Sequence, residues 1–229
     1  IEDNCSEKTA LFLAVEKNYP EIVKLLLTNT KIDVNAINKD NSYPKVENTA
    51  LFLASEQKKT EMVKLLLTND NINVNIPNIM TYEDGKCVKT PLHISAEKCN
   101  TEIVKLLLAR QDIDVNIKTT YKDYIVRMNE ETALHISLNK LDYETIKLLI
   151  SRKDVDVNIK SYSCVKKNNK IIEEEQTPLY ISVGNRDIRS LKLLLTREDI
   201  DINAVSICKY SEKNNSYFSQ LSIIPKLDI

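Results

Sequence analysis

From Leu11 onward the chain sets down a short apolar stretch, a polar break and a second, denser apolar stretch, and it does so five times. In the first occurrence Leu11, Leu13 and Ala14 make one apolar face. A polar break follows from Glu16 to Tyr19, and then come Ile22, Val23, Leu25, Leu26 and Leu27 with Lys24 as the polar interruption. The spacing predicts two short antiparallel helices. The second is apolar around so much of its circumference that it must be covered on several sides, and adjacent units can supply that cover.

The five units open at Thr9, Thr49, Thr90, Thr132 and Thr177 and close at Asn35, Asn75, Asn116, Asn158 and Asn203, each Asn 26 positions after its Thr. Successive openings lie 40, 41, 42 and 45 residues apart, so all length variation falls between units. The threonines read as caps of the first helix, with Pro91 and Pro178 suited to its first turn. Pro20, Asn100 and Asp142 suit the start of the second helix, and Glu21, Glu61, Glu102 and Glu144 place negative charge at its positive end. Unit five has Arg189 in the Glu place, so its second helix is expected to begin less firmly. Lys24, Lys64, Lys105, Lys147 and Lys192 recur at one position and should align as a solvated ladder on the outer helical face.

TALFLAVEK, TPLHISAEK and TALHISLNK, followed by VKLLL or its variants and by D-V-N, resemble the ankyrin repeat, with its T-P-L-H-x-A signature. A HEAT-type array also brackets the spacing, but both helices are short here and the extra length falls in polar, tyrosine-bearing connectors. The resemblance implies an all-α solenoid of helix-turn-helix units carrying β-hairpin fingers. It makes 1–229 a single domain with 204–229 as a finger-like tail. It also implies that His93 and His135 are structural, tying the turn to neighbouring backbone; Phe12, Phe52 and Tyr180 fill the same place in the other units. The family's glycine between the helices is replaced by Asn18, Lys58, Cys99, Leu141 and Arg186, for most of which a left-handed turn costs energy.

In such a stack the constant residues hold neighbours together, and recognition falls to what varies and protrudes. Here that is the connectors of 13, 14, 15 and 18 residues, long enough for hairpins. They carry Tyr43, Tyr82, Tyr121, Tyr124 and Tyr162, and the basic residues Arg127, Lys166, Lys167 and Lys170, with Glu173, Glu174 and Glu175 close behind. Tyrosine joins a large rigid ring to a hydroxyl and is favoured at binding hot spots; the same rings also suit strands packed finger against finger. Tyr43, Tyr82, Tyr121, Tyr124, Arg127, Tyr162, Lys166 and Lys167 are therefore the candidate contacts for a protein partner.

Composition narrows the chemistry. The net charge of −1 gives no general attraction to nucleic acid, and no apolar run is long enough to span a bilayer. Only two glycines are present, which rules out the usual phosphate loops and the nucleophile elbow by motif. Five scattered cysteines without a C-x-x-C pair argue for free thiols and a cytoplasmic setting. No catalytic residue, cofactor or metal site is expected. The expected function is a non-enzymatic protein-binding scaffold, with a targeting segment of a larger enzyme or membrane protein as the alternative. IEDNCSEK resembles the last strand of a finger, implying an earlier unit, and the absence of obvious polar end caps makes self-association an expectation for an otherwise monomeric stack.

Overall fold

The structure is a computed structural model that describes residues 6–83, 85–123, 127–167 and 170–212. Five helix pairs stack side by side: α1 (Ala10–Glu16) with α2 (Pro20–Leu27), α3 (Ala50–Glu56) with α4 (Thr60–Leu67), α5 (Pro91–Glu97) with α6 (Thr101–Leu108), α7 (Ala133–Lys140) with α8 (Tyr143–Ile150), and α9 (Pro178–Gly184) with α10 (Ile188–Leu194). First helices pack on first helices and second on second. Leu51, Val63, Leu66, Leu92, Val104 and Leu107 are buried between the layers, each such side chain contributing about 1.5–3 kcal/mol. Leu13 and Ile22 of unit one are exposed where their counterparts Leu53 and Met62 in unit two are buried against unit one.

All five turns between paired helices are left-handed at the positions where the sequence lacks glycine, with φ of 60° at Asn18, 56° at Lys58, 51° at Cys99, 58° at Leu141 and 55° at Arg186. Each makes the same two closing bonds. Tyr19 N donates to the Ala14 carbonyl (2.9 Å) and Asn18 N to that of Val15 (3.1 Å), with counterparts in every unit, which satisfies carbonyls the helix end would leave bare. The second helix of unit five corrects the expectation from Arg189. Asp187 caps it, accepting from Ser190 N at 3.2 Å and from the Ser190 hydroxyl, whereas α2 and α4 have no side-chain cap. Arg189 itself lies over the Tyr143 ring, 3.8 Å from its centroid. The lysine ladder is exposed throughout.

Two side-chain devices join the units. The closing asparagine of each reaches the next: Asn75 Nδ2 donates to the Asp112 carbonyl (2.8 Å) and its Oδ1 accepts from Asp114 N (2.9 Å). Asn35, Asn116 and Asn158 repeat the pattern. The alternation in I-D-V-N supports it, because Ile113 and Val115 point into the core while Asp114 accepts from Asn116 N on the solvent side. Units three, four and five add an arginine, Arg110 forking onto Asp112 and donating to the Ile72 carbonyl at 3.5 Å. Arg152 forks onto Asp154 and donates to the Leu108 carbonyl at the end of α6, and Arg197 forks onto Asp199 and donates to that of Ile150 at the end of α8, where positive charge suits the helix dipole.

The fingers change the fold description. Strands β1 (Ser6–Glu7), β2 (Asn38–Asp40), β3 (Lys45–Asn48), β4 (Asn78–Tyr82), β5 (Gly85–Lys89), β6 (Thr120–Asp123), β7 (Arg127–Glu130), β8 (Ser161–Lys167), β9 (Lys170–Gln176) and β10 (Ile207–Glu212) form one antiparallel sheet in sequence order. An all-α label is therefore imprecise, because each hairpin also pairs edge to edge with the next. Val46 stands opposite Met80, Cys87 opposite Tyr121 and Met128 opposite Cys164. Stacking sets this pairing by placing neighbouring fingers within hydrogen-bonding distance, so the repeat-solenoid reading holds with a ten-stranded wall added among the described residues.

The left-handed turns yield a stability prediction. Leu141→Gly relieves steric strain of about 1–2 kcal/mol against about 0.5–1 kcal/mol of added chain entropy. Urea unfolding should show a net gain of about 0.5–1 kcal/mol for it and a smaller gain for Asn18→Gly, since Asn tolerates the conformation best.

Candidate partner-binding groove

The strand register decides which finger side chains face the first helices. Nearest the helices runs a polar level. Asn38 stands opposite Asn48, Asn78 opposite Lys89 and Ser161 opposite Gln176, and Thr119 and Glu131 exchange hydrogen bonds. These groups tie each finger to the helix beside it, as where Thr9 N donates to Asn38 Oδ1 at 2.6 Å. Two residues further out the same face carries Val46, Met80, Cys87 and Tyr121 in adjacent register positions, continuing into Asn129, Ser163 and Glu174. The inner wall is thus apolar beside the first units and polar beside the last.

The opposite wall is the row of first helices. In units one, three and four the residue before the opening threonine and the one seven places after it meet across the groove floor: Lys8 with Glu16 at 2.8 Å, Lys89 with Glu97 at 2.5 Å, and Asn139 Nδ2 with Glu131 at 2.7 Å. Burial disfavours the Lys89 ammonium, but the Glu97 hydrogen bond and surrounding negative charge carry its pKa above the ordinary value. Burial pushes the Cys87 thiol up. Between units three and four the walls part into a pocket of about 430 Å³, with Cys87, Tyr121 and Ile136 as apolar lining and Lys89, Glu131 and Asn139 at its polar end. The eight-residue spacing in KTALFLAVE and KTPLHISAE carries this bridge and was readable in the sequence.

The candidate contacts fall in different places. Tyr82 and Tyr121 lie on the inner face by register. Tyr43, exposed, meets Tyr82 edge to face with ring centroids 6.5 Å apart, and its hydroxyl accepts from Glu83 N at 3.4 Å. Tyr162 and Lys166 lie on the outer face, where burial first, and nearby thiol and carboxylate groups after it, raise the Tyr162 pKa. Arg127 stands opposite Asp123 and Val165, and Lys167 opposite Lys170; Tyr124 lies outside the described residues. The geometry brings Tyr43, Tyr82 and Tyr121 to one region and leaves Tyr162 and Lys166 apart from it.

The histidines stay out of the groove. His93 is buried, with Nδ1 accepting from Thr90 N at 3.2 Å and lying 2.7 Å from the Thr90 hydroxyl. Its proton is therefore on Nε2, which donates to the Ile117 carbonyl at 2.8 Å. His135 repeats the bonds to Thr132 and directs Nε2 toward Ile159 without completing the second bond. In units one, two and five the threonine instead caps the amide of Phe12, Phe52 or Tyr180, each at 3.2 Å. Among the described residues no group of three or more His, Cys, Asp or Glu is placed to hold a metal ion, and no helix is long and apolar enough to cross a membrane.

Stacked helix pairs opened by a capping threonine, with fingers turned to one side, define a helical repeat protein that presents a surface. The chain belongs to the ankyrin repeat family: the pattern of ankyrin repeats in three copies matches residues 36–119 and 77–161, and that of a single ankyrin repeat matches residues 6–39. Solved structures agree on the fold. The ankyrin repeat domain of Bcl-3, described as a unique member of the IkappaB protein family, aligns with a TM-score of 0.55 at 21% identity over 82% of this chain and 71% of that one. The ankyrin repeat protein EF0377 aligns with 0.56 at 20% over 84% and 82%. An ankyrin repeat domain (ABAYE2397) from Acinetobacter baumannii AYE aligns with 0.55 at 21% over 82% and 81%. No curated protein matches the chain. Ankyrin repeats are in general protein–protein interaction modules and are typically non-enzymatic.

The caps predict a pH dependence. Burial brings the pKa of His93 and of His135 down to about 4, against 6.5 unfolded. Between those values the unfolded chain binds more protons, so stability falls as pH drops from 6.5 toward 4. At pH 4.5 the loss is roughly 2–3 kcal/mol per histidine. Urea unfolding at pH 7 and pH 4.5 should show a smaller loss in a His93→Phe, His135→Phe variant, which borrows the residue of units one and two; equal losses would contradict the assignment.

Proposed function

We propose that this chain is a non-enzymatic protein-binding module that takes an extended segment of a partner into the groove between the first helices and the inner wall of the finger sheet. The observation that carries this reading is the pocket between units three and four, where the Tyr121 ring and the Ile136 side chain lie beside the Glu131 and Asn139 polar groups. An apolar body with a few fixed polar groups suits a partner side chain entering from solvent. Both walls are held in place beforehand, the helices by their stacking and the fingers by the continuous ladder, so ordering the site on binding costs little.

Tyr43, Tyr82 and Tyr121 are then partner contacts. Arg127, Tyr162, Lys166 and Lys167, with Tyr124, serve a partner that also wraps the fingers. The free thiols of Cys87, Cys99, Cys164 and Cys208 fit a reducing, cytoplasmic setting. The same module serves equally as the targeting part of a longer polypeptide.

Photo-crosslinking tests the location. A benzoylphenylalanine at position 121 should give adducts with a partner protein, and one at position 105, on the exposed lysine ladder, should not. Tyr121→Ala should weaken that partner at least tenfold with an unchanged circular dichroism spectrum. Adducts at position 105 alone, or full affinity in Tyr121→Ala, would contradict the reading.

A further inference from the structure

The bridge across the groove floor is missing in unit two. Units one and three pair Lys8 with Glu16 and Lys89 with Glu97, and unit four pairs Glu131 with Asn139. In unit two the corresponding residues are Asn48 and Glu56, and among the described residues the Glu56 carboxylate has no hydrogen-bond or ion-pair partner. Glu56 is nevertheless partly buried. Its surroundings disfavour the charge, chiefly through burial, with Lys98 and Lys89 compensating only through space and Glu97 opposing them. The facing wall at this level is apolar, with Val46 opposite Met80 and both partly exposed. A carboxylate thus sits where the neighbouring units supply a cation, and this unit supplies none.

We propose that Glu56 receives a lysine or arginine side chain of the partner segment, with aliphatic residues next to that side chain lying on Val46 and Met80. The inference rests on the groove reading above and specifies the partner's chemistry. A partly buried carboxylate without a partner is costly, and a cation that bonds it recovers that cost on binding. An acidic segment is repelled by the uncompensated Glu56 carboxylate, whereas Glu16 and Glu97 on either side are neutralised by Lys8 and Lys89. Because Lys8 and Lys89 already satisfy the carboxylates on either side, one position along the groove calls for a basic residue, and this fixes the register of the bound segment.

A phage-displayed library of random heptapeptides panned on the full chain tests this. Selected peptides should be enriched in Lys or Arg at one position flanked by aliphatic residues. A synthetic copy of the most abundant should bind at least tenfold more weakly to Glu56→Gln by fluorescence anisotropy. Asn48→Lys should weaken it as much, because the new lysine supplies the cation from within as Lys8 and Lys89 do. Glu56→Gln removes an unpaired carboxylate and should unfold at no lower urea concentration than the native chain, which separates lost binding from lost folding. Peptides that lose binding on Met80→Asp yet carry no basic residue, or that bind Glu56→Gln fully, would overturn this inference and leave the groove reading intact. Selection of no peptide sensitive to Met80→Asp or to Tyr121→Ala would overturn both.

Discussion

The interaction on which the rest of the structure depends is the pair of hydrogen bonds by which each closing asparagine holds the backbone of the following unit. No single unit can bury its own apolar faces, so the fold exists only as a series of interfaces. Apolar packing between units is strong and non-directional, and it leaves room for neighbours to slide. The asparagine amide donates to one backbone carbonyl and accepts from an amide two residues further on, fixing translation and rotation together. Arg152 and Arg197 reinforce the later junctions by bonding the carbonyl ends of the preceding second helices.

The ten-stranded wall follows from that fixed stacking. Fingers held at a constant offset bring their outer edges into register, and pairing β3 with β4, β5 with β6 and β7 with β8 closes what would otherwise be four separate hairpins with exposed edges. The strands are three and four residues long in the first hairpin, five in the second, four in the third and seven in the fourth, where the interval between repeats is longest. The extra length there therefore goes into the height of the wall and leaves the helical frame unchanged. That frame and wall together enclose the groove, with its apolar inner row, its bridges between strand and helix, and the unbridged carboxylate of Glu56.

Much of this was legible in the sequence because it is local. Threonine caps, exposed lysines and buried histidines each depend on a few neighbouring residues, whereas the turns at Asn18, Lys58, Cys99, Leu141 and Arg186 keep the left-handed geometry without the glycine that favours it. The second helix of unit five starts firmly despite Arg189 because Asp187, two residues earlier, supplies the cap. The edge-to-edge pairing of fingers was not legible: an isolated hairpin and one that joins its neighbour have the same alternation, and only the stack decides between them. For the same reason the tyrosines read as one group, although register sends Tyr82 and Tyr121 to the inner face and Tyr162 to the outer. The recurring asparagine was visible as a fixed spacing, but its bonds run between units and have no signature within one.

Substituting that asparagine tests the account most directly. Asn116→Ala leaves the Asp154 carbonyl and the Asp156 amide without their partner, and should lower the free energy of urea unfolding by about 1–3 kcal/mol. It should also speed hydrogen exchange in the fingers on both sides of the junction. Asn203→Ala, at a position that bonds no following unit among the described residues, should change both by far less. Equal effects of the two substitutions, or a neutral Asn116→Ala, would contradict the claim that these hydrogen bonds set the stacking on which the wall and its groove are built.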